Sequence, residues 1–464
     1  MSVLFRKKSI EEAKALAEEK TYQLKRELTP ITLMLFVLGA TIGAGIFILP
    51  GTVAALHAGP GVIVSFLLSG LVTIAVGLAY VEFASMAPVA GSAYTYSYIA
   101  LGEVIAWIVG WDLLFEFTVI TSTVAVGWSG YVVELLKTLG IVLPPAYTRD
   151  LLSGGVINVP AIAGLLFVAW IALSGIKQSG RANAVFTWTK VGAILFFIAV
   201  GIFHIQPEHY IPFTPFGWQG VLTGAALVFF AYTGFDGVTT VVEEVKRPER
   251  SIPIALIFGL GLLTAFYVIV SFVLIGMLPY TELNVPDPAA YALVELGMNW
   301  GGALLSVAVI FGLIATMLAN GLSATRVLFA MSRDGLLPES FAKVDARRRV
   351  PVLATYLIFG AAIWMAGFLS IDELAQLANI GGLSAFFLTT LSVMIMRRTN
   401  PHVRRVFRVP ALSIVGPFGL IGTLALIASL PPLTFLRFGI WLVLGLVIYF
   451  AYGVNHSRLN HSKS

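Results

Sequence analysis

Apolar segments of membrane-crossing length recur along almost the whole chain, and they constrain the fold more than any motif does. A helix needs about 20 mostly apolar residues to cross a bilayer. Twelve such segments can be marked, at roughly 30–56, 61–86, 98–126, 157–176, 183–204, 218–243, 253–278, 300–331, 351–369, 374–396, 410–430 and 435–454. Lipid offers the backbone no hydrogen-bond partner, so these segments are helices unless they show the alternation of a barrel, which is absent. Composition agrees. Of 464 residues, 58% are hydrophobic and 11% charged, with a mean hydropathy of +0.91, whereas soluble domains carry about 25% charged residues. The expected fold class is an all-α polytopic membrane protein with 12 transmembrane helices. Soluble enzymes, nucleic-acid binders and disulfide-stapled secreted domains are excluded. Zero cysteines remove thiolate metal sites, iron–sulfur clusters and thiol nucleophiles.

Residues 1–28 are charged and lack the apolar core of a removable signal peptide. They read as a cytosolic N-terminal helix. Cytosolic loops are enriched in Lys and Arg. With the N-terminus inside, only Lys137, Arg149 and Arg437 of the 29 basic residues fall outside, and Lys190 lies within a span. The count predicts a multi-pass protein of the cell membrane, both termini cytoplasmic, with an even number of spans.

Two of the twelve segments are interrupted. The first carries Gly39, Gly43 and Gly45 within seven residues near its middle, each costing a helix about 1 kcal/mol relative to alanine. Close helix packing is the plain alternative, since Gly39 and Gly43 fit a small-xxx-small pattern. The sixth repeats the oddity in Phe229-Phe-Ala-Tyr-Thr-Gly234-Phe-Asp236-Gly237. These segments lead two five-helix halves, and interruptions at corresponding positions point to an inverted-repeat transporter with a midplane site. Half-helix N-termini there present free N–H groups to a carboxylate, and unwound carbonyls accept from an ammonium. The expected carboxylate site is the backbone of Thr41, Ile42, Gly43, Ala44 and Gly45. The ammonium is expected to face Phe229, Phe230, Ala231, Tyr232, Thr233 and Gly234.

The segments Gly43-Ala-Gly45-Ile-Phe, Glu82-Phe, Gly91-Ser-Ala-Tyr-Thr-Tyr and Phe230-Ala-Tyr-Thr-Gly-Phe-Asp resemble the amino acid–polyamine–organocation superfamily. Glu243-Glu-Val-Lys-Arg-Pro-Glu-Arg-Ser-Ile-Pro and Ser332-Arg-Asp-Gly-Leu-Leu-Pro strengthen the match, which is similar to the cationic amino acid transporter branch and to its bacterial proton-coupled members. The resemblance covers about residues 26 to 455. It implies a LeuT-like five-plus-five inverted repeat with spans 1 and 6 broken and spans 11–12 outside it. The corresponding divisions are 1–28, 29–204, 205–398 and 399–464. It implies a secondary active transporter importing L-amino acids, small neutral or cationic, by proton symport and alternating access. An exchanger and a non-transporting amino-acid sensor are the alternatives. A small accessory membrane subunit is a candidate partner beside substrate, proton and lipid.

An ionisable side chain at membrane depth is costly and usually paired or functional. Lys190 lies roughly 12 Å into span 5, at about 1.5 Å per residue. One reading is a structural lysine bonded to carbonyls of neighbouring helices. The other is a proton carrier, poised between desolvation and helix carbonyls; the resemblance puts it where related transporters hold a sodium ion. Glu116, with Asp112 one turn before it, meets a cationic substrate side chain or is a protonated or water-solvated acid near the outer vestibule. Asp236 is a cap or gate residue. Glu82 is structural, and Glu243 and Glu244 form a solvated span end or an inner gate. One of Phe229, Phe230 and Tyr232 closes over the substrate, as the resemblance suggests. Trp107, Trp111, Trp128, Trp218 and Trp300 are expected in interfacial belts. No catalytic triad, metal-ligand cluster or phosphate loop is present, so neither enzyme activity nor a cofactor is expected.

Overall fold

The computed structural model describes residues 3–19, 24–138, 140–149, 154–285 and 287–460. In chain order its helices are α1 (Ile10–Glu18), α2 (Pro30–Thr41), α3 (Ala44–Val53), α4 (Val62–Met86), α5 (Ala93–Ala100), α6 (Glu103–Thr138), α7 (Val159–Leu173) and α8 (Ile176–Gly201). They continue with α9 (Gly217–Val228), α10 (Pro248–Met277), α11 (Pro288–Glu295), α12 (Asn299–Arg333), α13 (Val352–Phe368), α14 (Ile371–Thr399), α15 (Leu412–Ala428) and α16 (Pro432–Ile448). Among the described residues the sole β pairing is the bridge Leu28–Val245.

Among the described residues, eight helical runs are long and apolar enough to cross a membrane, and four apolar helices of 10–17 residues fall short. The protein is therefore multi-pass and all-helical, while length alone does not establish twelve crossings. One short helix, α2, is short because the first expected span is cut after Thr41. Its second half runs on through α3 and a π-turn into α4 as one helical stretch, Gly45–Met86. The N-terminal helix is also shorter than expected. A capping box between Ser9 and Glu12 starts α1 and nine residues complete it; residues 20–23 lie outside the described residues.

Helix α6 packs against α12, α13 and α14, while α10 packs against α4 and α2, and α8 against α12 and α2. Helices α15 and α16 lean on this bundle from outside and leave Ile421, Ile440 and Val443 exposed. Such an apolar face suits lipid. Of the five tryptophans expected at interfaces, Trp107 is fully buried and Trp111 and Trp128 half-buried against neighbouring helices: Trp107 Nε1 donates to Gly445 O at 2.9 Å, Trp111 stacks on Trp441, and Trp128 Nε1 donates to Ile310 O at 3.0 Å. Trp218 and Trp300 are exposed. An indole N–H buried between helices needs an acceptor, and a carbonyl of a neighbouring helix supplies it.

Arg6 and Ser457, from opposite ends of the described residues, both reach Glu103 at one end of the bundle, which ion pairs close. Arg6 forks onto Glu103 with two 2.8 Å bonds, and Glu103 also accepts from Tyr98, Tyr449 and Ser457. Lys8 pairs with Asp334; burial pushes its ammonium down while Asp334 pulls it up. Glu243 takes Arg333, Glu244 takes Arg326, and Glu82 takes Arg397 and Arg405. Glu82 is thus paired as expected, and Glu243 and Glu244 form a buried network rather than a solvated end. Buried charges survive only with such close partners.

Candidate functional site

The last four carbonyls of any α-helix lack an intrahelical partner. At the end of α2 each is met by a different group. Leu38 O accepts from Ile42 N at 2.9 Å, and Gly39 O from Lys190 Nζ at 3.0 Å. Ala40 O accepts from Asn320 Nδ2 at 3.0 Å, and Thr41 O from Tyr267 OH at 3.2 Å. One residue on, Ile42 O takes both Lys190 Nζ and Thr316 Oγ1. Thr316 Oγ1 also lies 2.9 Å from Lys190 Nζ. The fully buried lysine thus has three oxygen partners, and its charge sits at a helix C-terminus, where the macrodipole favours a cation. Side chains from α8, α10 and α12 converge on Gly39, Ala40 and Thr41 of α2 and on Ile42 just past it, because those residues are the ones with carbonyls to spare.

Beyond the break, Gly43 is extended (φ −116°, ψ −148°) and α3 begins at Ala44. Its first N–H groups, from Ala44 onward, have no helical acceptor and no side-chain cap, a backbone end whose dipole suits negative charge. The three glycines of this stretch divide their work. A Cβ on Gly39 would lie 2.6 Å from Thr187 Oγ1, and one on Gly45 2.6 Å from Ala231 Cβ. Both are packing glycines, against α8 and against the sixth segment. A Cβ on Gly43 would meet nothing closer than Thr316 Cγ2 at 3.6 Å. Packing does not require glycine there.

The sixth segment leaves α9 at Val228, tightens to a 3-10 turn over Phe229–Tyr232, and reverses at Gly234, whose φ of +91° favours glycine. Tyr232 is fixed by its OH to Phe66 O at 2.8 Å and its ring against Tyr267, and Phe229 packs edge-on to Phe386. Both are fully buried, whereas Phe230 is half-buried. Of the three aromatics at the break, Phe230 is the one not fully enclosed, although it too packs against the core. The one Tyr267 O–H proton lies between Ala231 O at 2.6 Å and Thr41 O at 3.2 Å, so a single shared donor bridges the two breaks, with Ala231 the closer acceptor.

The acids behave differently. Neither carboxylate oxygen of Glu116 meets a donor, and Asp112 Oδ1 lacks one too, whereas Asp236 has the backbone N–H groups of Asp236 and Gly237 and the Ser92 hydroxyl beside it. All three side chains are buried and within electrostatic reach of one another. Glu116 faces Gly381 and Gly382 of α14; a Cβ on Gly382 would lie 2.6 Å from Glu116 Oε1 and 3.7 Å from Thr233 Cγ2. That places the carboxylate beside the sixth-segment break. Asp236 belongs to the 3-10 turn Phe235–Thr239 past that break, and its backbone oxygen accepts from Thr239. No side-chain cap starts that turn at Gly234. No set of three His, Cys, Asp or Glu side chains that could hold a metal occurs among the described residues.

Thr41 to Gly45, Phe229 to Gly234 and Lys190 therefore meet in one region, with Glu116 at its edge and Asp236 beyond it. Sequence reasoning missed Tyr267, Thr316 and the Gly381–Gly382 pair as members. Thr316 and Asn320 sit one turn apart in an apolar helix, a polar ridge that was a usable signal; a tyrosine or glycine in such a helix gives none.

The amino acid permease family profile matches residues 28–451. The methylthioribose transporter of Bacillus subtilis (strain 168) is 42% identical over 462 residues, covering 99% of this chain and 100% of the relative. The branched-chain amino acid permease BcaP of the same organism is 41% identical over 464 residues, covering 98% and 99%. Cationic amino acid transporter 4, vacuolar, of Arabidopsis thaliana is 36% identical over 412 residues, covering 86% of this chain and 68% of its own. These relatives are transporters, not enzymes. A chain that matches from residue 28 to 451, and aligns end to end with two bacterial transporters, belongs to the amino acid permease family of the amino acid–polyamine–organocation superfamily.

Proposed function

We propose that this permease imports L-amino acids into the cell by proton symport, through alternating access around the two breaks. The proposal includes twelve spans, a five-plus-five inverted repeat over 29–204 and 205–398, and an end closed by ion pairs that faces the cytosol. One observation carries it: the buried Lys190 ammonium bonded to Gly39 O, Ile42 O and Thr316 Oγ1. A proton on Lys190 holds α8 and α12 to the broken helix, and its loss to the cytosol releases them. The substrate carboxylate lies on the N–H groups that open α3, where Gly43 leaves room. Its ammonium faces the sixth-segment break, and its side chain points toward Glu116. Asp236 serves as a gate residue below.

The family favours an amino acid, and small neutral, branched-chain and cationic members are the substrates to compare. Methylthioribose belongs in the same panel because a relative spanning the whole chain is named for it. The test is uptake by proteoliposomes with an acid-outside gradient and without one, with the twenty amino acids and methylthioribose as competitors. Accumulation only with the gradient supports symport. Accumulation driven only by substrate loaded inside identifies an exchanger, and binding without flux identifies a sensor.

A further inference from the structure

One buried acceptor beside the two breaks has no donor. Asn320 on α12 is fully buried, and its Nδ2 donates to Ala40 O at 3.0 Å and to Thr316 O at 2.9 Å. Both partners are carbonyl oxygens, which only the NH2 end of an amide can satisfy. Turning the amide over would set Oδ1 against two acceptors and forfeit both bonds. The direction of Oδ1 is thereby fixed by its surroundings. It points at Gly234, where a Cβ would lie 2.8 Å from it, and it has no hydrogen-bond partner. Gly234 is the left-handed residue of the sixth-segment break, so Oδ1 sits between the end of α2 and the bend that follows Thr233.

A buried side-chain oxygen without a donor is rare in folded proteins. The oxygens around it are acceptors that already hold donors, while Oδ1 holds none: Ala231 O and Thr41 O share the one Tyr267 proton, Ile42 O takes Lys190 and Thr316, and Phe230 O takes Thr233 Oγ1. A primary ammonium brings three N–H donors, and the proposed amino-acid site places one at this break. The bare glycine at 234 keeps the approach to Oδ1 open, since any side chain there would cover it.

We propose that Asn320 Oδ1 accepts a hydrogen bond from the substrate's primary ammonium and makes the site selective for an unsubstituted amine. This rests on the amino-acid reading above. A charge-assisted bond of this kind changes affinity by about ten- to a hundredfold. N-methylation removes one donor and crowds the bend, so a site that uses Oδ1 penalises it.

The experiment measures binding of the full-length protein in detergent to three probes: the best amino acid from the uptake panel, its N-methyl derivative, and the 2-hydroxy acid of the same side chain. In the native protein N-methylation is expected to weaken binding at least about tenfold. In Asn320→Leu, or Asn320→Ser should the leucine variant not fold, binding of the parent falls by a similar factor. The penalty for N-methylation then shrinks to about threefold or less. Tyr267→Phe is the control: it loosens the same breaks without touching Oδ1, and it lowers affinity for parent and N-methyl probe alike. The proposal is overturned if the native protein does not discriminate, or if a folded Asn320 variant keeps the native ratio. Native protein that binds no amino acid but does bind methylthioribose overturns the amino-acid reading instead, and this proposal with it.

Discussion

Lys190 and Glu116 are both charged residues buried in apolar helices, and the structure treats them in opposite ways. Lys190 has three oxygen partners, whereas Glu116 has none. The cause lies in the backbone opposite each. Lys190 faces a helix that stops at Thr41 and so has carbonyls to give. Glu116 faces the middle of α14, whose N–H groups are consumed within its own helix. A broken helix creates partners for a charge; an unbroken one does not. An unpaired buried carboxylate costs several kcal/mol, so Glu116 is stable at this place only with a proton or a cation on it. The lysine is thus a fastened group and the acid an available one.

The largest expected effect tests the fastened side. Lys190→Ala removes the donor to Gly39 O and should bring uptake under an acid-outside gradient down to its gradient-free level. Lys190→Arg should fail as well, because arginine stays protonated at physiological pH. Gradient-driven accumulation by either variant would move coupling to Glu116 or Asp236. The available side is tested next by Glu116→Gln in a competition assay. Binding of arginine or lysine should weaken by about 1.5–3 kcal/mol, the range of a hydrogen bond to a charged group, with alanine little affected. Equal losses for both substrate types would show that the acid does not read side-chain charge.

Two glycines sharpen the contrast further. A Cβ on Gly312 would lie 2.9 Å from Lys190 Cβ, and one on Gly382 2.6 Å from Glu116 Oε1. The lysine cannot step aside without breaking its bonds, so Gly312→Ala should destabilise by about 1–3 kcal/mol, as overpacking does. The carboxylate end of Glu116 is free to swing, so Gly382→Ala should cost less despite the closer approach. Melting curves of the two purified variants decide; the reverse order would mean that Glu116 is held by something rigid. Smallest of all, Thr316→Val removes one of the three lysine partners while Gly39 O and Ile42 O remain. It should lower stability by about 0.5–1.5 kcal/mol and leave gradient-driven uptake in place.

The breaks were legible because glycines at mid-span contradict the helix that lipid demands, and both lie where the sequence puts them, at Ile42–Gly43 and Phe229–Gly234. Lys190 was legible for the same reason, as a charge where none is tolerated alone. Its partners were not, since any freed carbonyl within reach serves and sequence does not say which helix crosses there. The division among Gly39, Gly43 and Gly45 was equally hidden, because it depends on what faces each Cα. The partners of the tryptophans were hidden too: Trp107 and Trp128 donate to carbonyls of neighbouring helices, which an indole's suitability for interfaces does not announce.

Glu103 is satisfied by residues from the two extremes of the chain, Arg6 near the start and Tyr449 and Ser457 near the finish. A protein emerges from the ribosome N-terminus first, so Arg6 and Glu103 exist together while Tyr449 and Ser457 are still unmade. The closed end of the bundle therefore cannot be completed until Ser457 has been made. A chain halted after Tyr452 would hold every helix from α1 to α16 and still leave the buried Glu103 carboxylate one donor short.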